Sequence, residues 1–171
     1  MKEEVLQLAY KIDSLARAAR VQDLALMIGQ PEAERVQRVA AVIQKLESGT
    51  YLIGSGPYTQ GVYSIMADEV VLGRLATALE QPLDKPIDIF CQDVVCLTPR
   101  EVSRYHAMIQ RVGDIYRTYY LTDLGSTCGT FLNGKRLNSD KANDLPGTEL
   151  SHGDVISLGS CQVNTYVFIT L

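Results

Sequence analysis

The sequence predicts a mainly β protein, an antiparallel sandwich or barrel preceded by helices. Two observations carry this. From Thr50 onward, short runs rich in Val, Ile, Tyr and Thr alternate with glycine-bearing turns. Before Ser48-Gly49, apolar residues recur instead at helical spacing. With 171 residues, 46% of them hydrophobic, the chain suits one domain plus an appendage and can bury a core without covalent staples.

The first helical face is Val5, Leu8, Ile12, Leu15 and Ala19; Val21, Leu24, Ala25 and Ile28 continue it in a new register. Gly29-Gln30-Pro31 breaks the pattern. Pro31 suits an early helical position, Glu32 and Glu34 suit the positive N-terminal end, and Lys45 suits the other end. Val36, Val39, Ala40, Ile43 and Leu46 form the second stripe, with Gly49 placed to stop it. Residues 1–48 therefore read as two or three helices, a hairpin in its simplest form. Such a unit buries too little surface to stand alone. It fits either a cap packed on the C-terminal domain or a docking or homodimerisation hairpin.

Beyond Gly49 the expected strands are Val62–Met66, Val70–Gly73, Ile87–Phe90, Tyr105–Arg111, Tyr116–Thr122, Thr130–Leu132, Val155–Leu158 and Val163–Leu171. Val112-Gly113-Asp114 reads as a hairpin loop, and Asn133-Gly134 is the strongest two-residue hairpin signal in the chain. Leu75–Lys85 is less strand-like and reads as a surface insertion. Many short strands at this spacing are what an antiparallel sandwich or barrel requires.

Charge and cysteine usage narrow the function. Residues 1–48 hold seven basic and seven acidic side chains, so the whole net charge of −4 belongs to the remainder. No overall positive field recruits nucleic acid, and any anion site must be local. No segment is long and apolar enough for membrane insertion, and the N-terminus has no apolar signal core. Cys91, Cys96, Cys128 and Cys161 show no CxxC pair and no His/Cys metal spacing. They read as reduced thiols of a cytoplasmic protein without a bound metal or cofactor.

The chemically richest stretch runs from Ser103 to Gly134, read together with Leu72-Gly73-Arg74. Arg74 follows a hydrophobic strand beside Gly73, where backbone or ligand can approach closely. Its guanidinium offers a planar fork of donors suited to two phosphate oxygens. Ser103 adds a hydroxyl and Arg104 a second cation. Gly125, Ser126, Thr127, Gly129 and Thr130 make a tight loop of amides and hydroxyls able to cradle a peptide. The loop lacks the GxxxxGK[ST] spacing of a nucleotide site. His106 is one of two histidines, with no nucleophile and orienting partner in view, so it reads as structural. Asp123 fits a turn or an ion pair. Such an inventory belongs to recognition rather than to an enzyme.

The series LGR, SRYHAMI, YYLTDLGSTCGTFLNG and L(x)2GDVISLG (Leu150, Gly153 to Gly159) resembles the forkhead-associated (FHA) domain in order and spacing, over roughly residues 50–171. The resemblance implies a sandwich of about eleven strands with ligand-binding loops at one end. It implies a signalling adaptor that binds a phosphothreonine-containing protein, downstream of a bacterial-type Ser/Thr kinase. By motif, Arg74 and Ser103 would contact phosphate oxygens with Arg104 beside them, and Thr127 would receive the threonine and peptide. His106 would brace the loops and Asn133 would tie neighbouring loops together, while Gly73 and Gly129 would serve turn geometry. Two features depart from the family pattern. Cys128 stands where an asparagine amide usually holds the peptide main chain, and a thiol is a weak substitute. The stretch between Arg74 and Ser103 is also longer than usual, through LATALEQPLDK. These departures raise an alternative, a phosphate-independent FHA scaffold that self-associates or docks through its N-terminal helices.

Overall fold

A computed structural model of the chain describes residues 3–20, 32–54, 61–75, 80–91, 101–114, 116–138, 147–161 and 164–171. Two helices come first, α1 (Glu3–Arg20) and α2 (Glu32–Gln44). Eleven strands come after them: β1 (Thr50–Gly54), β2 (Gly61–Ser64), β3 (Glu69–Gly73), β4 (Ile89–Phe90), β5 (Ala107–Val112), β6 (Thr118–Asp123), β7 (Thr130–Leu132), β8 (Lys135–Arg136), β9 (Thr148–Leu150), β10 (Val155–Leu158) and β11 (Asn164–Thr170). They form two sheets, in the orders β2-β1-β11-β10-β7-β8 and β4-β3-β5-β6-β9. Every pairing is antiparallel except β3 with β4, which run parallel through Leu72↔Ile89 and Gly73↔Phe90.

Between the sheets lies one core. Leu52, Leu72, Ile109, Leu121, Ile156, Leu158, Tyr166 and Phe168 pack there. The Thr50 hydroxyl donates to Tyr119 Oη across the gap at 2.9 Å, satisfying a buried pair.

β11 is buried along nearly its whole length. Tyr166 and Phe168 face the inter-sheet core, whereas Val167 and Ile169 point the other way. On that outer face they join Ile53 of β1 and meet Leu8 and Ile12 of α1 and Ile43 of α2. The helices pack on each other through Ala9, Val36 and Ala40, small residues that permit close approach. Burying side chains of the Leu and Ile kind stabilises by about 1.5–3 kcal/mol each, so the helix–sheet contact is substantial. A further tie comes from Lys11, whose ammonium donates to the Gly153 carbonyl.

Some expected boundaries move. α2 ends at Gln44, and Gly49 does not cap it. Gly49 instead exchanges two backbone hydrogen bonds with Leu171, at 3.1 and 2.8 Å, extending the β1–β11 ladder. β1, β8 and β9 are additional to the expected strands; β8 and β9 are two and three residues long, below the length at which alternation is readable. The expectations for Val21, Leu24, Ala25 and Ile28, for Gly29-Gln30-Pro31, and for Cys96 and Val163 lie outside the described residues. So do the side chains of Leu15 and Ala19. No described helix is long and apolar enough to cross a membrane.

Candidate functional site

Four inter-strand segments meet at one place: the end of β3, residues 101–106 before β5, residues 124–129 after β6, and residues 159–161 after β10. Gly73 makes the first junction. A Cβ there would lie 1.9 Å from the carbonyl oxygen of Arg104, so only glycine lets the two backbones cross. Just beyond it, the Arg74 amide donates to the Ser103 carbonyl at 3.2 Å.

The remaining segments are joined beneath the surface by His106, which is fully buried. Its Nδ1 accepts the Ser103 amide at 3.0 Å. The ring proton therefore sits on Nε2, which faces the Gly129 carbonyl at 3.1 Å and donates to it. Gly159 donates to that same carbonyl at 2.9 Å. Above this brace, the Ser103 hydroxyl accepts the Thr127 amide at 3.2 Å.

The 124–129 loop is organised by Asp123. Its carboxylate accepts the Gly125 and Ser126 amides (3.0 Å each), the Ser126 hydroxyl (2.6 Å) and the Thr130 hydroxyl (2.7 Å). Ser126 Oγ in turn accepts the Gly129 amide at 3.0 Å. Burial alone would push the Asp123 carboxyl upward. The donors from Ser126, Thr130 and Gly125 outweigh it and hold the group below its ordinary value of 3.8. Sequence reasoning leaves Asp123 open between a turn and an ion pair, although an aspartate two and three residues before glycine and serine is a turn signal. At the loop's end Gly129 has φ +85°, and a Cβ would stand 2.5 Å from Nε of Arg136. An exposed guanidinium thus lies against the loop, another neighbour that sequence does not reveal.

Ser103, Thr127, His106 and Gly129 are therefore brought together, with the Arg74 backbone beside them. Half-buried Cys128 lies between Thr127 and Gly129. Asn133 occupies a different junction. It adopts φ +51° ahead of Gly134 at +79°, the left-handed pair of a two-residue hairpin joining β7 and β8. Its side chain donates to Asp154 at 2.8 Å and accepts the Val155 amide at 2.9 Å.

Arg74 is paired and largely shielded from solvent, whereas Arg104 is exposed. Arg74 Nη1 and Nη2 donate to the two carboxylate oxygens of Glu80 at 2.8 and 2.7 Å, a bidentate pair. Arg104 Nη1 donates to the Gln81 carbonyl at 3.3 Å. The far end of the insertion is held by Tyr105, whose hydroxyl accepts the Lys85 amide at 2.6 Å and donates to the Lys85 carbonyl at 3.0 Å. Among the described residues, Arg74, Arg104 and Tyr105 each tether one point of residues 80–85. Nothing in the sequence pairs Glu80 with Arg74, because LATALEQPLDK carries no periodic pattern that fixes residues six apart. Among the described residues, no three His, Cys, Asp or Glu side chains gather as a metal site.

The FHA domain family model matches residues 70–159, more than half of the chain, and the chain belongs to that family. No curated protein sequence matches it. Solved structures share the fold at low identity. The yeast splicing factor Pml1 superposes with a TM-score of 0.53 at 21% identity, over 77% of this chain and 88% of that one. The FHA domain of CT664 from Chlamydia trachomatis gives 0.52 at 18% identity, over 72% and 99%. The N-terminal FHA domain of Rad53p from S. cerevisiae, solved with a phosphothreonine peptide, gives 0.52 at 19% identity, over 72% and 94%.

Proposed function

We propose that this protein is a phosphothreonine-peptide recognition module, a cytoplasmic signalling adaptor acting downstream of a Ser/Thr kinase. It is a binding protein and not an enzyme. The observation that carries the reading is the convergence of the Arg74 backbone, Ser103 and Thr127, linked by 3.2 Å hydrogen bonds over the buried His106. Family membership and the phosphothreonine peptide bound to the Rad53p domain support it. In this reading Arg74 and Ser103 take phosphate oxygens, Arg104 adds charge, and Thr127 and Cys128 line the peptide. Gly73, His106, Gly129 and Asn133 hold the loops. Residues 50–171 carry the recognition, and residues 1–48 serve as its cap, a role supported by the burial of Leu8, Ile12 and Ile43 against β1 and β11.

A degenerate phosphothreonine peptide library and its unphosphorylated twin, passed over the immobilised protein, test this. The phosphorylated set is expected to be retained selectively. Arg74→Ala removes charge-assisted bonds of about 1.5–3 kcal/mol each, which lowers retention at least tenfold. Measurable retention of both sets to the same extent by the native protein overturns the reading.

A further inference from the structure

We propose that Glu80 is a built-in competitor for phosphate, holding the site closed until a phosphorylated partner displaces it. The inference rests on the reading of Arg74 as a phosphate ligand and adds the regulation of that site. A carboxylate and a phosphate present the same pair of oxygens to a guanidinium fork. In the free protein both Nη atoms of Arg74 are engaged by Glu80, at 2.8 and 2.7 Å. The same short segment also takes Arg104, through the Gln81 carbonyl. Residues 80–81 therefore occupy the Arg74 fork and take one hydrogen bond from Arg104, whose side chain stays exposed.

The contact is stronger than an ordinary surface ion pair. The two side chains are only 14% and 28% exposed, so solvent and salt screen them weakly. The competitor is also tethered: Glu80 lies six residues from Arg74, and Tyr105 holds the downstream end at Lys85. Tethering gives the carboxylate a high effective concentration that no dilution removes. A ligand that needs Arg74 sees only the open fraction, and its apparent affinity falls by that fraction. Exchange remains possible because phosphate offers what Glu80 lacks. It carries up to a second negative charge and a third oxygen, and the Ser103 hydroxyl, whose oxygen accepts the Thr127 amide, has its own proton to donate beside the Arg74 backbone. Displacement also frees residues 80–81 from both arginines, so ligand binding and the state of the insertion are coupled.

The test uses N-acetyl-phosphothreonine-N-methylamide as probe. Binding to the full chain is followed by NMR, including the Arg74 Nε–Hε signal. Glu80→Gln keeps the shape and removes the charge, and Glu80→Asp keeps the charge on a shorter arm. Affinity is expected to rise about 10- to 100-fold in Glu80→Gln, the worth of a charge-assisted bidentate contact, and less in Glu80→Asp. Binding by Glu80→Gln when the native protein shows none supports the inference in its strongest form. Native binding with Glu80→Gln equal or weaker overturns it and leaves the recognition reading intact, Glu80 then orienting Arg74 instead of competing. No binding by either protein overturns the recognition reading and this inference with it. Arg74→Ala in the Glu80→Gln background is expected to abolish the gain, and an undiminished gain counts against the shared site.

Discussion

Asp123 and His106 show how much of the 124–129 loop rests on buried side chains beneath it. Asp123 gathers four donors from three residues, and its hydrogen bonds set the path of the 124–129 backbone. Asp123→Asn retains the shape but turns an amide nitrogen toward hydroxyl and amide donors. It is expected to cost about 1–3 kcal/mol in urea unfolding at neutral pH. The effect depends on pH in a definite direction. The folded carboxyl titrates below its ordinary 3.8, so the unfolded chain takes the proton first as acid is added. The stabilisation is fully present above 3.8 and disappears as pH falls through the lowered folded value. Native protein and Asp123→Asn should therefore differ at pH 7 and converge as pH falls below the lowered folded value. A gap that widens in acid would contradict the assignment.

Elements are shaped here by close approach more than by propensity. β3 and residues 101–106 cross at Gly73, and the missing Cβ is what allows the Arg74 amide to reach Ser103. Gly73→Ala drives a methyl into the Arg104 carbonyl and is expected to destabilise by about 2–3 kcal/mol, read as a lower melting temperature. The strand pattern of β3 is legible in the sequence, from Val70 to Gly73. The crossing is not, because the residue it meets lies 31 positions away. Asn133-Gly134 differs in this respect. The hairpin signal is local, and the left-handed φ values at both positions follow from it. Glu80 stands at the other extreme, in a segment with no repeating pattern, where only the folded chain brings carboxylate to guanidinium.

At the scale of the molecule, the helices and the sandwich share an interface rather than sitting side by side. Val167 and Ile169 would be solvent-facing in an uncovered antiparallel sheet, where polar residues alternate with apolar ones. Ile12 meets them from α1 at 3% exposure. Ile12→Ala is expected to cost about 2–5 kcal/mol of global stability through lost burial and the cavity left behind. One cooperative transition and an unchanged mass in light scattering should accompany the loss. A second transition, or a halved mass with stability unchanged, would favour a dimerising hairpin over a cap.

Fold class and the family's motifs came from the sequence alone, because periodicity, turn chemistry and motif spacing are local properties of the chain. The helical character of the N-terminal part, the positions of eight of the described strands and the Asn133-Gly134 hairpin belong with them. Tertiary structure decided which surfaces are shared and which charges meet. It turned Gly49 from an expected helix stop into a partner of the C-terminal residue, placed the helices on β1 and β11, and gave Arg74 to Glu80. Each of these joins groups whose proximity depends on how the whole chain is folded, and no local pattern encodes that.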